Sequence, residues 1–316
     1  MLGYNGTGVK EFILLGFSDK PDEQVIIFIL FLLMYLTTVI GNLTIIMLAM
    51  TVHQLQTPMY FFLMILSFVD MCFSSVTVPR MLMNIVSVRK TVTIAGCFAQ
   101  LFFIILFGGI ECLLLGVMAY DRYVAICDPL HYSMRMSRKL CLQMVGGSCL
   151  SACAHSTLHV AMASLLSFCG SNQIHHFFCD MTPLLKLSCS DISLNELIIY
   201  FEAPLPVMTP FIIIVVSYIL IATTIWKIPS TTGRHRAFST CSSHLIVVTL
   251  FYGAIICTYF RPSSTHSLDS DRVVTTIYTV IAPMLNPFIY SLRNNEMKEA
   301  FKKVILRKHL RTTLNS

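Results

Sequence analysis

Charged residues are scarce in this sequence. Asp, Glu, Lys and Arg account for 12% of the 316 residues, whereas 55% are hydrophobic and the mean hydropathy is +0.73. Soluble domains usually carry roughly 25% charged residues. The composition therefore excludes an ordinary soluble fold and predicts a chain that lies in lipid.

The sequence also lacks the patterns of several function classes. Its net charge of +6 comes from basic residues scattered over short segments, without the basic and aromatic patch that binds nucleic acid. The motifs His-Glu-x-x-His and Gly-x-Ser-x-Gly and phosphate-binding glycine loops are absent. We therefore expect neither an enzyme nor a nucleic-acid partner.

The first residues contain no pattern of a removable signal peptide. Residues 1–19 have no apolar core that follows basic residues and precedes a small-residue cleavage site. We therefore expect the first membrane span to target the chain.

Long apolar segments make up most of the chain. Each is near or above the length of about 20 residues that crosses a hydrocarbon core as a helix. The sequence predicts an all-α membrane protein, a seven-transmembrane helix bundle in a single domain over residues 1–316, with the bundle at 25–292 between a start at 1–24 and a tail at 293–316. The seven segments are 25–50, 59–86, 97–120, 140–166, 196–226, 237–260 and 272–292.

The distribution of Lys and Arg predicts the orientation. Seven spans place the two termini on opposite sides, and the side that holds the C-terminus carries fourteen Lys and Arg against eight on the other side. Basic residues accumulate on the cytoplasmic side. We expect a multi-pass plasma-membrane protein with its N-terminus extracellular, where the Asn5-Gly6-Thr7 acceptor would be glycosylated.

The tail after the seventh span has an amphipathic pattern. Between Glu296 and Leu310, Lys and Arg alternate with apolar residues at Met297, Ala300, Phe301, Val304 and Ile305. This pattern predicts a short cytoplasmic helix that lies on anionic membrane lipids.

Asp121 and Arg122 interrupt the apolar pattern where the third span ends. Residues 118–127 read Met-Ala-Tyr-Asp-Arg-Tyr-Val-Ala-Ile-Cys. Charged groups at this depth are costly unless they are paired or hydrated. The pair and the following Tyr123 are interpreted as a switch or docking point, or as a plain interfacial anchor.

Three polar residues lie deep inside predicted spans. They are Asp70 in the second, Glu111 in the third and Asn286 in the seventh. Carboxylates in lipid need partners, so the set would hold a Na⁺ ion or take up a proton, or would form an interhelical hydrogen-bond network. Apart from this ion, we expect no cofactor.

Three more polar residues lie in the fourth and fifth segments. His155 and His159 are four residues apart and share a helix face, so they suit either a metal pair or packing contacts, although no third ligand is evident nearby. Glu202 precedes Pro210 by about 12 Å of helix. It would select cationic or hydrogen-donating ligands, form an ion pair with His155 or His159, or extend to the surface.

Five motifs occur in order along the chain and together resemble the olfactory receptors, a branch of the rhodopsin-like G-protein-coupled receptors. Two of them depart slightly from the family pattern, with Gln56 in place of His and Arg236 in place of Lys. The motifs are Leu55-Gln-Thr-Pro-Met-Tyr60, the string at 118–127, His176-Phe-Phe-Cys-Asp180, Arg236-Ala-Phe-Ser-Thr-Cys-Ser-Ser-His244, and Pro283-Met-Leu-Asn-Pro-Phe-Ile-Tyr-Ser-Leu-Arg-Asn294.

The resemblance implies two sets of site residues. Tyr252 and Tyr259 are two helical turns apart, so both hydroxyls would face the ligand cavity, or the rings would simply pack between helices. The implied ligand-binding residues are Ile104, Ile105, Gly108, Gly109, Glu202, Tyr252, Ile255, Ile256, Tyr259 and Thr279. The implied residues for activation and G-protein coupling are Asp121, Arg122, Tyr123, Tyr218, Asn286, Pro287 and Tyr290.

Four of the twelve cysteines are expected at the extracellular side, namely Cys97, Cys169, Cys179 and Cys189. Four cysteines allow three pairings. The resemblance implies the pairs Cys97–Cys179 and Cys169–Cys189. A copper site at His176, Cys179 and Asp180 is the alternative for this motif, but a sulfur in a disulfide is a poor ligand.

By this resemblance the chain binds a small-molecule odorant, mostly apolar, and activates a heterotrimeric stimulatory olfactory-type G protein that raises cAMP. Arrestin would be a further partner. The alternative is a non-olfactory rhodopsin-like receptor for an endogenous small ligand, although Ile104 stands where amine receptors have Asp. A transporter or channel would be expected to show an internal repeat or paired broken helices, and the sequence shows neither.

Overall fold

The computed structural model describes residues 9–16, 20–87, 89–259, 268–294 and 296–304. A few side chains at helix ends, including that of Tyr259, also lie outside the described part, as does the predicted glycosylation site Asn5. Within the described ranges the chain is mostly helical. The helices are α1 (Pro21–Thr51), α2 (Pro58–Val86), α3 (Ile94–Cys127), α4 (Tyr132–Arg135), α5 (Arg138–Ser164), α6 (Met181–Lys186), α7 (Ser193–Phe201), α8 (Leu205–Lys227), α9 (Thr231–Tyr259), α10 (Leu268–Thr276), α11 (Ala282–Arg293) and α12 (residues 296–304).

These helices form the predicted seven-helix bundle. The spans of the described chain are α1, α2, α3, α5, α7 with α8, α9, and α10 with α11. Five of them are long and apolar enough to cross a membrane, and α9 is a sixth if its two bent parts are taken together. The fourth span, α5, is more polar because it turns Ser148, Ser156 and His159 toward the interior. The Ser156 hydroxyl donates a 2.6 Å hydrogen bond to the Phe102 carbonyl of α3.

Two spans are interrupted beside prolines. The fifth span breaks at residues 202–204, where α7 has ended and α8 begins directly after Pro204. The seventh contains a π-helical turn, Ile277–Ile281, directly before Pro283. Proline has no backbone N–H and crowds the preceding turn, so irregular helical geometry concentrates beside it.

A small sheet lies at one end of the bundle and was not predicted. Its strands are β1 (Glu11–Leu14), β2 (Thr91–Thr93) and β3 (Gln173–Ile174), in the order β2-β1-β3. β1 is antiparallel to β2 and parallel to β3. Phe12 and Leu14 are fully buried in an apolar cluster that includes Cys97 and Cys179. We call this end, which also carries both disulfides, the disulfide end.

Glycine allows very close packing between the third and fifth spans. A Cβ atom added at Gly116 of α3 would lie 2.8 Å from the Pro210 Cβ and 3.2 Å from its Cα. Real carbon atoms do not approach so closely without displacement, and Pro210 belongs to the rigid α8 backbone. The contact therefore requires glycine on α3.

Gly116→Ala is expected to destabilise the protein by about 1–3 kcal/mol, because overpacking forces the two helices apart. The matched control is Gly146→Ala on α5, where an added Cβ meets nothing within 4 Å. Alanine stabilises a helix by up to about 1 kcal/mol relative to glycine, so the control should be neutral or stabilising. Thermal melting of the purified variants measures both effects, and equal melting temperatures for the two variants would contradict the packing argument.

Candidate functional site

A cavity of ≈730 Å³ opens at the end of the bundle opposite the disulfide end. We call this end the Arg122 end. Residues from α2, α3, α4, α9, α11 and α12 line the cavity, so its shape depends on how the spans are arranged. Its walls include Arg122, Asp121, Tyr132, His244, Tyr290 and Glu296.

Asp121 organises the charges in this cavity. One of its carboxylate oxygens accepts hydrogen bonds from the Arg122 guanidinium, and the other accepts a 2.8 Å bond from the Tyr132 hydroxyl of α4. Asp121 is 1% exposed and Arg122 is 7% exposed. Removing these charges from water is costly, and their mutual pairing offsets part of that cost. Arg122 thus lies on the wall of the cavity while it is held by the adjacent residue.

His244 joins three spans, a role that was not assigned to it from the sequence although it ends one of the motifs. Its Nε2 lies 3.2 Å from the Leu115 carbonyl of α3, and its Nδ1 lies 2.7 Å from the Tyr218 hydroxyl of α8. A carbonyl only accepts, so Nε2 carries the proton and Nδ1 accepts from Tyr218. The predicted activation residue Tyr218 is therefore bound to α9 through His244.

The start of α2 is connected to the end of the seventh span by Tyr60, a second residue that was not assigned a role. The Tyr60 hydroxyl donates to Glu296 of α12 at 2.7 Å and accepts from the Asn294 amide at 2.7 Å. Tyr60 is 1% exposed, so these bonds satisfy a buried hydroxyl. α12 forms part of the predicted helix after the seventh span, and Met297 and Ala300 are buried against the bundle whereas Phe301 and Val304 are exposed.

An exposed turn between α3 and α4 carries a small charged group. Asp128 contacts His131 at 2.7 Å and Arg135 at 3.0 Å. The hydrogen bond from His131 and the nearby charges of His131 and Arg135 lower the pKa of the Asp128 carboxyl. Because these groups are exposed, they affect the local charge more than the stability of the fold.

Asp70, Glu111 and Asn286 lie in the middle of the bundle and are at most 2% exposed. The Asn286 amide donates to Asp70 at 2.9 Å. Within the described chain, both Glu111 carboxylate oxygens and the remaining oxygens of Asp70 and Asn286 have no hydrogen-bond partner. Such unpaired buried oxygens suit a hard cation or a proton.

The remaining predicted activation residues lie on α3 and α11. Tyr290 lines the cavity, and Pro287 packs so close to α1 that a Cβ at Gly41 would be 3.0 Å from it. Tyr123 packs on the main apolar core, and its ring lies 6.3 Å from that of Tyr120.

The predicted ligand-binding residues do not all face one space. Ile104 packs with Phe73, Phe177 and Phe178, whereas Tyr252 and Ile255 belong to the main core. A separate cluster near the disulfides contains Ile105. The structure thus divides the set among three neighbouring clusters.

The remaining members of this set differ in burial. Thr279 is fully buried, whereas Ile256 is 41% exposed. A Cβ added at Gly109 would contact Ala152 of α5 at 3.2 Å, and one at Gly108 would contact Phe73 at 3.8 Å. Ile256 and Gly109 therefore do not face a space shared with the other predicted ligand-binding residues.

Glu202, also predicted to bind ligand, is already engaged in the structure. Its two carboxylate oxygens contact His155 Nδ1 and His159 Nε2, each at 2.8 Å. Glu202, which lies 43 residues beyond His159 along the chain, is thus the third partner of the two histidines. Of the alternatives for Glu202, the contact with α5 is the one present in this structure.

The loop before α6 is held by covalent and polar contacts. Cys97 is bonded to Cys179 and Cys169 to Cys189, the two pairs that the resemblance implied. The Phe178 N–H donates to His176 Nδ1 at 3.4 Å, and burial raises the pKa of Asp180. Cys179 is in a disulfide and His176 Nδ1 already accepts a bond, so the copper alternative has few free ligands.

His176 is expected to make stability depend on pH. Burial, with a smaller effect of the Arg272 charge, lowers the pKa of His176 to about 3, whereas an unfolded histidine titrates near 6.5. Between these two pH values the unfolded chain binds more protons than the folded chain. The contribution of His176 to the free energy of unfolding is therefore fully present above about pH 6.5, and the free energy of unfolding falls by up to about 1.4 kcal/mol for each pH unit below that value.

This dependence can be measured as the difference in melting temperature between pH 7.5 and pH 5.5. His176→Asn keeps an acceptor but does not titrate, so it should show a smaller loss than the wild type. The matched control is His175→Asn, which replaces the exposed neighbour and should behave as wild type. An equal loss in His176→Asn and wild type would show that His176 does not cause it.

Comparisons with known proteins agree with this architecture. The family model described as olfactory receptor matches residues 31–308. Human olfactory receptor 1C1 is 53% identical over 303 residues, which cover 96% of this chain and 96% of that protein. Human olfactory receptor 1F1 is 52% identical over 305 residues, which cover 96% of this chain and 98% of that protein.

Among solved structures, squid rhodopsin superposes with a TM-score of 0.70 at 18% identity, covering 90% of this chain and 81% of that one. At this identity the likeness shows the seven-helix fold alone. The family match and the two relatives cover most of the chain. The chain is therefore a multi-pass membrane protein and belongs to the olfactory receptor family of G-protein-coupled receptors.

Proposed function

We propose that this receptor binds small, mostly apolar odorants and activates a stimulatory olfactory-type G protein, which raises cAMP. The receptor would lie in the plasma membrane with its disulfide end extracellular and its Arg122 end cytoplasmic. The excess of Lys and Arg toward the Arg122 end supports this orientation. Disulfides form in oxidising compartments, which agrees with an extracellular disulfide end.

The observation that carries the coupling proposal is the ≈730 Å³ cavity at the Arg122 end. It is large enough to admit part of a protein partner, and it offers the Arg122 guanidinium together with exposed polar groups. His244 and Tyr290 line it, and His244 contacts Tyr218 of α8 and the Leu115 carbonyl of α3. A G protein that enters here would contact groups whose positions depend on the helix arrangement, and arrestin would use the same cavity.

The odorant would bind nearer the disulfide end, among the residues that face the interior. The apolar side chains of Ile104, Ile105 and Ile255 and the ring of Tyr252 suit small ligands with few polar groups. The Tyr252 ring packs 5.0 Å from that of Phe211 of α8, so it lies between the fifth and sixth spans. A ligand shifts activation only by binding the active and inactive arrangements with different affinity.

Asp70, Glu111 and Asn286 would hold a Na⁺ ion or a proton between the two ends. The donor set consists of oxygens alone, which suits a hard cation. Asp70→Asn removes one charge from this set and should make the odorant response independent of Na⁺. An unchanged Na⁺ dependence in that variant would count against an ion at this centre.

The coupling proposal is tested in cells that lack the stimulatory Gα subunit. The receptor is expressed with or without that subunit, and basal and odorant-evoked cAMP are recorded across a chemically diverse odorant panel. We expect a rise only when the subunit is present. A receptor that reaches the surface and raises neither basal nor evoked cAMP would overturn the coupling, and a response confined to endogenous metabolites would favour the non-olfactory alternative.

Orientation has its own measurement in the same cells. Antibodies against epitopes at the two termini are applied before and after permeabilisation. The N-terminal epitope should be stained on intact cells and the C-terminal epitope only after permeabilisation, and the reverse pattern would contradict the proposed orientation.

A further inference from the structure

A compact cluster of His155, His159 and Glu202 joins the fourth and fifth spans. The ligand atoms of the three side chains all lie within 4.8 Å of one another. Both histidines are on α5, one turn apart, and their rings are 4.5 Å apart in an edge arrangement. Glu202 caps α7 where the fifth span breaks. The cluster therefore brings two imidazole nitrogens and a carboxylate together from two spans.

We propose that His155, His159 and Glu202 form a binding site for a Zn²⁺ ion. Two histidine nitrogens and one carboxylate oxygen are a known zinc donor set that leaves a fourth position for water. The Glu202 side chain is 31% exposed, whereas those of His155 and His159 are 12% and 6% exposed. The site is thus enclosed by protein on the α5 side and open to an entering ion on the Glu202 side.

The geometry needs only small movements to accept the ion. Tetrahedral zinc bonds of about 2.0–2.1 Å place neighbouring ligand atoms roughly 3.3 Å apart. The carboxylate oxygens now lie 2.8 Å from the imidazole nitrogens, and all ligand atoms lie within 4.8 Å of one another. An entering ion would move the contacting atoms apart by about 0.5 Å and draw the most distant ligand atoms together by up to about 1.5 Å. The two histidines stay on one helix face, one turn apart.

Binding also requires a change of proton position in each imidazole. A nitrogen that donates to Glu202 carries a proton, whereas a metal ligand needs a free lone pair. On binding, the His155 proton moves from Nδ1 to Nε2 and the His159 proton moves from Nε2 to Nδ1. Each ring remains neutral and no proton is lost from it, while the carboxylate offsets one charge of the ion.

The donor set predicts which ions bind. Nitrogen donors favour Zn²⁺ and Cu²⁺, whereas Ca²⁺ and Mg²⁺ prefer sites made of oxygen alone. Bound Zn²⁺ would cross-link α5 to the joint between α7 and α8. This effect is independent of the odorant and G-protein proposals, because it concerns ion binding alone.

The first test is a Zn²⁺ titration of the purified full-length receptor in lipid nanodiscs after removal of metal with EDTA. We expect the receptor to bind one equivalent of Zn²⁺, and this binding should raise the melting temperature. Cu²⁺ should displace the bound Zn²⁺, whereas Ca²⁺ should not. His155→Ala, His159→Ala and Glu202→Gln should each weaken this binding at least tenfold. His175→Ala, which removes an exposed histidine outside the cluster, should leave it unchanged.

A second measurement uses only the wild type, in case a variant fails to fold. Cu²⁺ bound to the receptor is examined by electron paramagnetic resonance, where coupling to two imidazole nitrogens is expected. A wild type that binds no Zn²⁺, three variants that bind it as tightly as the wild type, or a Cu²⁺ signal without two imidazole nitrogens would each overturn the proposal. The cluster would then be a hydrogen-bonded contact only.

Discussion

Arg122→Ala is expected to abolish both basal and odorant-evoked cAMP while the receptor still reaches the cell surface. Arg122 lines the cavity at the Arg122 end, and its partner within the described residues is the adjacent Asp121. Its removal therefore takes a cation from the proposed docking cavity without breaking a contact between spans. Asp121 keeps the bond from Tyr132, so one of its oxygens remains paired.

The response is measured as cAMP against surface expression in the same cells. Arg135→Ala is the matched control, because Arg135 lies nearby on α4 but is half exposed and paired with Asp128. That control should keep most of the response. Full cAMP signalling from Arg122→Ala would refute the role of Arg122, and a loss of surface receptor would assign it to folding instead.

Cys97→Ser is expected to remove nearly all surface receptor. The Cys97–Cys179 bond closes a loop of 82 residues and fixes the segment before α6 to the start of α3. Losing such a bond typically costs about 2–5 kcal/mol, which is a large part of the stability of a folded domain. The Cys179 N–H also donates to the Gln100 side chain at 3.1 Å, and Gln100 donates to the Val76 carbonyl of α2, so the loss would loosen contacts among three segments.

Cys153→Ser provides the matched control, because Cys153 is a free and exposed cysteine on α5. Its surface level should equal that of the wild type. Peptide mapping under non-reducing conditions should recover both disulfides from the wild type. A folded surface receptor with free Cys97 would show that the bond is dispensable.

Much of the bundle could be predicted from the sequence because the membrane imposes simple rules. A span must be long, apolar and helical, so the segment predicted at 59–86 corresponds closely to Pro58–Val86. The polar α5 was also predicted, although fewer of its residues are apolar. Pro58 marked the start of α2 since proline is favoured in the first helical turn.

Contacts between distant residues were harder to predict. The pairing of Glu202 with His155 or His159 was one of three alternatives from the sequence, because the choice among them depends on how the fifth span breaks and on which way α5 is rotated. β1 has only four residues, and its partners lie far along the chain. The bonds of His244 likewise depend on the packing of three spans, so the motif marked the residue but not its contacts.

The position of β1 in the middle of its sheet has a consequence for biosynthesis. β1 is made first, yet its two partners follow about 80 and 160 residues later. At a synthesis rate of about 5–20 residues per second, the N-terminal strand waits on the order of ten seconds or more for β3. Cys179, which follows β3 by five residues, also has to emerge before Cys97 can find its proper partner. The sheet at the disulfide end therefore closes only after four spans have been made. Until then the strand edges of the N-terminal segment are open to chaperones and to incorrect pairing.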